Sequence, residues 1–129
     1  MSLLSGCDSK GNNAAARQLS HIRLLTNLYV KAASQLHHNP KDEAEFKKTI
    51  IESDVKLENL KVDNVDELFI SERDGKPLVV VYGNILPASG VVVYEQVGVN
   101  GLREVGYTLG KVSEVDAAEF AKLVPNASK

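Results

Sequence analysis

The 129-residue sequence predicts a single α+β domain in which helices pack against an antiparallel sheet of three or four strands. Apolar residues recur every three or four positions before residue 40, whereas β-branched runs bounded by turn residues follow residue 77. Helices followed by neighbouring strands are typical of α+β domains. We assign residues 14–125 to this domain, residues 1–13 to a signal remnant and tether, and residues 126–129 to a tail.

The first predicted element is a long helix over residues 14–37. Its apolar side chains lie three or four residues apart, and the charged side chains fall largely outside this stripe. We expect the stripe to pack against the sheet and to provide much of the core. The stripe consists of Leu19, Ile22, Leu25, Tyr29 and Leu36.

A second, shorter amphipathic helix is predicted from Asn39-Pro40 to about Ser53. Asn39 is suited to cap the helix, and Pro40 suits its first position. The acids Asp42 and Glu43 favour the positive end of the helix dipole. Residues 54–67 show little periodicity and are interpreted as a polar connector.

The sheet is predicted from three β-branched segments, residues 78–82, 90–97 and 102–109. Between the second and third segments, Asn100-Gly101 is a dipeptide that favours a tight hairpin turn, which makes these two strands antiparallel. Residues 110–113 can turn the chain and extend the sheet. A capping box over residues 116–119 then predicts a short helix that ends at about residue 124.

The N-terminal run Leu4-Ser5-Gly6-Cys7 resembles the lipobox of bacterial lipoproteins. This resemblance implies that the Cys7 thiol receives diacylglycerol and that the preceding segment is removed, which would anchor the chain to the outer side of a bacterial membrane. The polar residues 8–13 suit a flexible tether. Residues 1–4 lack the basic and apolar regions of an export signal, so we interpret them as a shortened remnant. The alternative is a free thiol at Cys7.

Residues 65–124 contain Val93-Tyr94-Glu95, the run Gly98-Val99-Asn100-Gly101 and Glu119-Phe120. In these motifs they resemble the C-terminal part of pilin-like families of planctomycete bacteria, which share their architecture with type IV pilins and type II secretion pseudopilins. The resemblance implies a long helix on an antiparallel sheet. The family motif Asp-Gly-His-Val is replaced here by Leu109-Gly110-Lys111-Val112, so no function of the missing acid and histidine is transferred.

The charge distribution argues against nucleic-acid binding. The formal net charge is -2, and the 15 Lys and Arg residues form no basic stripe. Residues 41–74 contain eleven acids against six bases, which makes the middle of the chain acidic. We interpret this segment as a solvated surface, with a partner surface as the alternative.

The sequence contains no recognisable catalytic, cofactor or metal motif, and we predict none of these sites. The three histidines, His21, His37 and His38, lie too far apart or point apart on the predicted helix. The oxygen-rich run of residues 63–67 lacks the glycine and the final glutamate of a calcium loop. The strand tyrosines are expected to pack in or beside the core. They are Tyr82, Tyr94 and Tyr107.

Two classes of function remain open at this point. The first is a non-catalytic envelope lipoprotein that binds a protein partner through its sheet face or its acidic segment. The second is an enzyme or small-ligand carrier whose site is assembled from Glu95, Arg103 and Glu104. We favour the first class, because a small domain with short loops offers few places for a pocket of roughly 300 Å³. The sequence assigns no oligomeric state.

Overall fold

The computed structural model describes residues 20–53, 56–60, 62–84 and 86–125, which form an α+β fold as predicted. Cys7, the tether, Leu19 and the tail lie outside these ranges, so the predictions for them stay predictions. Two short 3-10 helices, Leu57–Leu60 and Val65–Phe69, lie between the second helix and the sheet. The helices are α1 (His21–Leu36), α2 (Glu43–Glu52) and α3 (Ala117–Leu123), and the strands are β1 (Val79–Val80), β2 (Val91–Tyr94), β3 (Leu102–Tyr107) and β4 (Val112–Asp116).

Helix α1 packs the predicted stripe on the sheet. Ile22, Leu25 and Tyr29 are buried, and Leu36 is half-buried near the end of the helix. The helix ends where His37 adopts a left-handed conformation with φ 64°. The prediction of an α1 stripe facing the core is therefore confirmed for the described residues.

Helix α2 begins later than predicted. Its cap is Asp42, whose side chain accepts a hydrogen bond from the backbone N–H of Glu45 at 2.8 Å. Asn39 instead donates its side-chain amide to the carbonyl of Gly83 at 3.0 Å and ties the α1–α2 connection to the chain beyond β1. The first N–H groups of a helix have no acceptor within the helix, and the Asp42 carboxylate accepts one of them, that of Glu45. The helix therefore begins directly after Asp42, and Pro40 lies outside the helix.

The four strands form one antiparallel sheet in the order β1-β2-β3-β4. The predicted strands were too long. In the third of them, for example, Thr108 and Leu109 belong to the turn before β4 rather than to β3. The Asn100-Gly101 turn has positive φ at both residues, 56° and 80°, as a tight hairpin turn requires. The predicted start of the last helix is also confirmed, because the Asp116 side chain caps α3 by accepting from the backbone N–H of Glu119 at 2.8 Å.

The sheet buries side chains on both faces. On one face, Val92 and Val93 pack against α1, α2 and the second 3-10 helix. On the other face, Val91 and Val105 pack under Phe120 of α3. A register shift between Val91 and Val93 lets the adjacent Val92 and Val93 face the same core, which strict alternation would not allow.

The predicted polar connector is partly a core element. Val65, Leu68 and Phe69 are buried, and the Phe69 ring lies 5.5 Å from that of Phe46 of α2 in an edge-on arrangement. The predicted polar connector, residues 54–67, was therefore wrong at Val62 and Val65, which are buried, while Leu68 and Phe69 lie directly after it. A single 3-10 turn buries apolar positions without repeating them often enough to show a period.

Candidate functional site

Three glutamates lie side by side across the sheet, and we call them the acid row: Glu95, Glu104 and Glu114. Glu104 of β3 pairs in register with Glu114 of β4, and the backbone N–H of Glu95 donates to the carbonyl of Glu104 at 3.1 Å. Alternation along β3 places Glu104 on the same face as Gly106, which contacts α1. Like charges directly opposite one another destabilise a sheet, so the row requires a cation.

Arg73 supplies that cation from a turn of residues 71–76, which we call the Arg73 turn. The turn is closed by hydrogen bonds between the backbones of Ser71 and Lys76 and of Gly75 and Ser71, both at 2.9 Å. Burial alone would lower the pKa of Arg73, but its hydrogen bonds to Glu95 and Glu114 raise it. The guanidinium donates at 2.9 and 3.2 Å to Glu95, at 2.9 Å to Glu114 and at 3.2 Å to the carbonyl of Leu102.

Glu95 is the structural centre of the acid row. Its side chain is completely buried, yet its oxygens accept from the Ser71 hydroxyl at 3.0 Å and from the backbone N–H of Glu104 at 2.8 Å, in addition to Arg73. A buried carboxylate is tolerated only when its charge and its lone pairs are both matched in this way. Glu95 therefore fastens the Arg73 turn to the end of β2.

The carboxylate of Glu104 has fewer hydrogen-bond partners than those of Glu95 and Glu114. Its Oε1 is buried without a hydrogen bond in the described part of the chain, and it lies 3.9 Å from Nε of Arg73. Burial raises the pKa of Glu104, Arg73 opposes this rise, and the charges of Glu95, Glu72 and Glu114 add to it. Of the three acids, Glu104 is the one whose ionised form is least supported.

Arg103 lies apart from the acid row, on the α3 side of the sheet. Its guanidinium stacks 4.1 Å from the centre of the Phe120 ring and donates to the carbonyl of Gln96 at 3.1 and 2.8 Å. Successive residues of a strand point to opposite faces, so Arg103 and Glu104 diverge. The structure brings Glu95 and Glu104 together but does not bring Arg103 to them, so these three residues do not form one site.

Arg103 instead helps to line a groove of about 260 Å³ beside α3, which we call the α3 groove. The Tyr94 ring lies 5.1 Å from that of Phe120 in an edge-on arrangement, so one wall of the groove is aromatic. A second groove of about 330 Å³ lies by the β3–β4 turn, where the side chain of Leu109 is 92% exposed. The α3 groove is lined by Val79, Tyr94, Gln96, Arg103 and Phe120.

Sequence reasoning singled out Glu95 and Glu104 but missed Arg73 and Glu114. Arg73 is 22 residues from Glu95 and lies in a turn, so no periodicity links the two. The available signal was an acid placed two positions after the buried Val93, on the inward face of a predicted strand. Such an acid requires a cation from another segment, but the pattern does not say which one.

The strand tyrosines lie where they were expected. Tyr82 packs beside the α1-side core, and Tyr94 and Tyr107 pack beside the α3-side core. The Tyr29 hydroxyl of α1 donates to the carbonyl of Val81 at 2.7 Å, and burial raises the pKa of Tyr29 to about 12. Burial also raises the pKa of Tyr82. These side chains stabilise the fold and form no exposed aromatic patch.

The histidines and the oxygen-rich run of residues 63–67 have structural hydrogen bonds and capping roles. The Nδ1 of His21 lies 2.6 Å from the carbonyl of Ile70, and His37 ends α1. In the oxygen-rich run, Asn64 caps the second 3-10 helix, and Glu67 accepts from the backbone N–H of Asp63 at 2.7 Å. Within the described ranges, no three His, Cys, Asp or Glu side chains gather as metal ligands would.

No helix in the described part of the chain combines the length and apolar character needed to cross a bilayer. Comparison of the chain with protein-family models, with curated proteins and with solved structures finds no match.

Proposed function

We propose that this protein is a non-catalytic envelope lipoprotein that is anchored through Cys7 and binds a protein partner at the α3 groove. The observation that carries the binding proposal is the arrangement of the half-exposed Arg103 and Tyr94 around the buried ring of Phe120. Tyrosine, phenylalanine and arginine are enriched at protein interfaces, where rigid rings supply contact area and the guanidinium supplies directed hydrogen bonds. The short helix α3 covers only part of this sheet face, so Tyr94 and Arg103 stay half-exposed.

The chemistry of the acid row supports a binding protein over an enzyme. Glu95 and Glu114 both accept hydrogen bonds from Arg73, and Glu95 has further partners within the fold. A general acid or base needs a proton-transferring group within reach of a substrate. The carboxylates of Glu95 and Glu114 are instead hydrogen-bonded to Arg73 and keep the Arg73 turn in place.

Site-specific photo-crosslinking tests the binding proposal. A photoreactive residue replaces Gln96, which is exposed in the α3 groove, in a membrane-anchored form of the protein within intact cells. We expect a discrete adduct with a protein partner, and we expect Arg103→Ala to remove that adduct. The matched control replaces Gln35, which is exposed on α1, and should give no such adduct. An adduct that is insensitive to Arg103→Ala, or no adduct from Gln96, contradicts the proposal.

The anchor is tested separately by the intact mass of protein extracted with detergent. When the chain is expressed behind a functional bacterial export signal, we expect a mass increase at Cys7 equal to the attached acyl groups. Cys7→Ser should remain an unlipidated precursor, because diacylglyceryl transfer requires the thiol. Two acyl chains, at about 0.8 kcal/mol per buried CH₂, hold a protein on a membrane where one chain binds only marginally. A wild-type mass without acyl groups removes the lipoprotein part of the proposal.

A further inference from the structure

The acid row has more negative charge than its cation can balance. In the described residues, Arg73 is the one base that forms ion pairs with Glu95, Glu104 and Glu114. If all three acids are ionised, the group carries a net charge of -2, with Glu95 buried, Glu104 half-buried and Glu114 exposed. Charge repulsion in a poorly solvated place favours uptake of a proton by the least supported carboxylate.

Geometry identifies Glu104 as that carboxylate. Glu95 and Glu114 each have an oxygen 2.9 Å from a guanidinium nitrogen, whereas the Oε1 of Glu104 is buried with no donor. An ionised carboxylate can only accept hydrogen bonds, so a buried oxygen without a donor is unfavourable. A protonated carboxyl carries no charge, so burial disfavours it less than the ionised form.

The Arg73 turn links the acid row to a second loop, the hairpin of residues 96–101. Asp74 in the turn accepts from the backbone N–H of Gly98 at 2.9 Å, which ties the turn to the hairpin of residues 96–101. Arg73 also donates to the carbonyl of Leu102, directly after this hairpin. Any change in the attraction between Arg73 and the acid row therefore affects both loops at this end of the sheet.

We propose that Glu104 binds a proton in the folded protein and that this proton couples the docking of the Arg73 turn and the 96–101 hairpin to pH. As pH falls, the proton removes a charge that burial under the turn disfavours, while Arg73 keeps its hydrogen bonds to Glu95 and Glu114, so the two loops pack more tightly. As pH rises, repulsion within the row returns and the loops open more often. The proton comes from solvent, and no other co-reactant is required.

Several other charged groups face Glu104 or its neighbours. Glu72 and Arg73 face it from the turn, Glu95 from the end of β2, and Glu114 from β4. From α1, His21 lies 3.8 Å from the carboxylate of Glu72. The test therefore has to separate Glu104 from His21.

Two measurements test the proposal. Carbon-13 NMR of the glutamate carboxyl groups gives the titration of Glu104, which we expect above the ordinary glutamate range of about 4.3. Amide hydrogen exchange at pH values below and above that titration, corrected for its intrinsic pH dependence, gives the opening of residues 71–76 and 96–101. We expect several-fold stronger protection at the acidic end, with a midpoint that follows the Glu104 titration.

Glu104→Gln is the key variant, since the amide carries a donor and no charge at any pH. We expect both loops to stay protected throughout the pH range in Glu104→Gln, while His21→Gln keeps the pH dependence of the wild type. A Glu104 titration at or below the ordinary range overturns the proposal, and this measurement needs no variant. Persistent pH dependence in Glu104→Gln, or its loss in His21→Gln, also overturns it.

Discussion

The two ends of one sheet face are stabilised in opposite ways. At the α1 end, Val93 and Gly106 pack against an apolar helix, and Gly106 allows the helix to approach closely. At the other end, the acid row is covered by Arg73 and the polar atoms of its turn. Apolar packing is non-directional and contributes most of the stability. A buried ion-pair cluster fixes the position of a loop but adds little net free energy, since desolvation offsets its attraction.

Arg73→Ala, at the charged end of the sheet face, should give the largest loss of unfolding free energy. It leaves the fully buried Glu95 without its cation, and removal of one partner of a buried pair costs about 3–5 kcal/mol. Urea denaturation measures this loss of unfolding free energy. Lys48→Ala, at an exposed position on α2, is the control and should change stability by less than about 0.5 kcal/mol. Equal small effects of both variants would show that Glu95 needs no cation.

Leu25→Ala should break the apolar end, with a loss of about 2–5 kcal/mol from lost transfer free energy and the cavity left behind. Leu25 has 0% exposure in the middle of α1. The matched control is Leu109→Ala, because that leucine is 92% exposed and should contribute little. Thermal or urea unfolding compares the two. A loss below roughly 1 kcal/mol for Leu25→Ala would place Leu25 outside the core.

Gly106→Ala tests how closely α1 must approach the sheet. A Cβ at this position would lie 2.0 Å from Oγ1 of Thr26, so the helix has to shift. Overpacking of this kind costs about 1–3 kcal/mol. Thr26→Ala removes the hydroxyl that the new methyl meets, so the double variant should recover part of the loss in a double-mutant cycle. Additive losses would show that this contact is not the constraint.

Glu104→Gln should have the smallest effect on global unfolding and the opposite sign. Because the pKa of Glu104 is raised in the folded protein, its ionisation destabilises the fold. The variant should therefore be slightly more stable than wild type above the folded pKa of Glu104. The difference should disappear as pH falls through that pKa toward the ordinary carboxyl range. Urea denaturation at several pH values measures it, and Glu114→Gln, which weakens an ion pair with Arg73, should give no stabilisation.

Local patterns were sufficient to predict most elements of the fold. The α1 stripe, the Asn100-Gly101 turn and the Asp116 cap each depend on residues within a few positions of one another. The lengths of the strands were less predictable, because pairing with a neighbour decides where a strand ends. The 3-10 helix Val65–Phe69 was not predicted, because a helix of one or two turns is too short to show a periodic apolar pattern.

The sequence by itself determined the α+β class, the order of the elements and the apolar face of α1, because periodicity and turn chemistry are local properties. Only the tertiary structure decided that Glu95 and Glu104 share Arg73 and that Arg103 stacks on the ring of Phe120. These arrangements join segments far apart in the chain. Many cations could balance a buried acid, and the packing of the Arg73 turn on the sheet selects one of them.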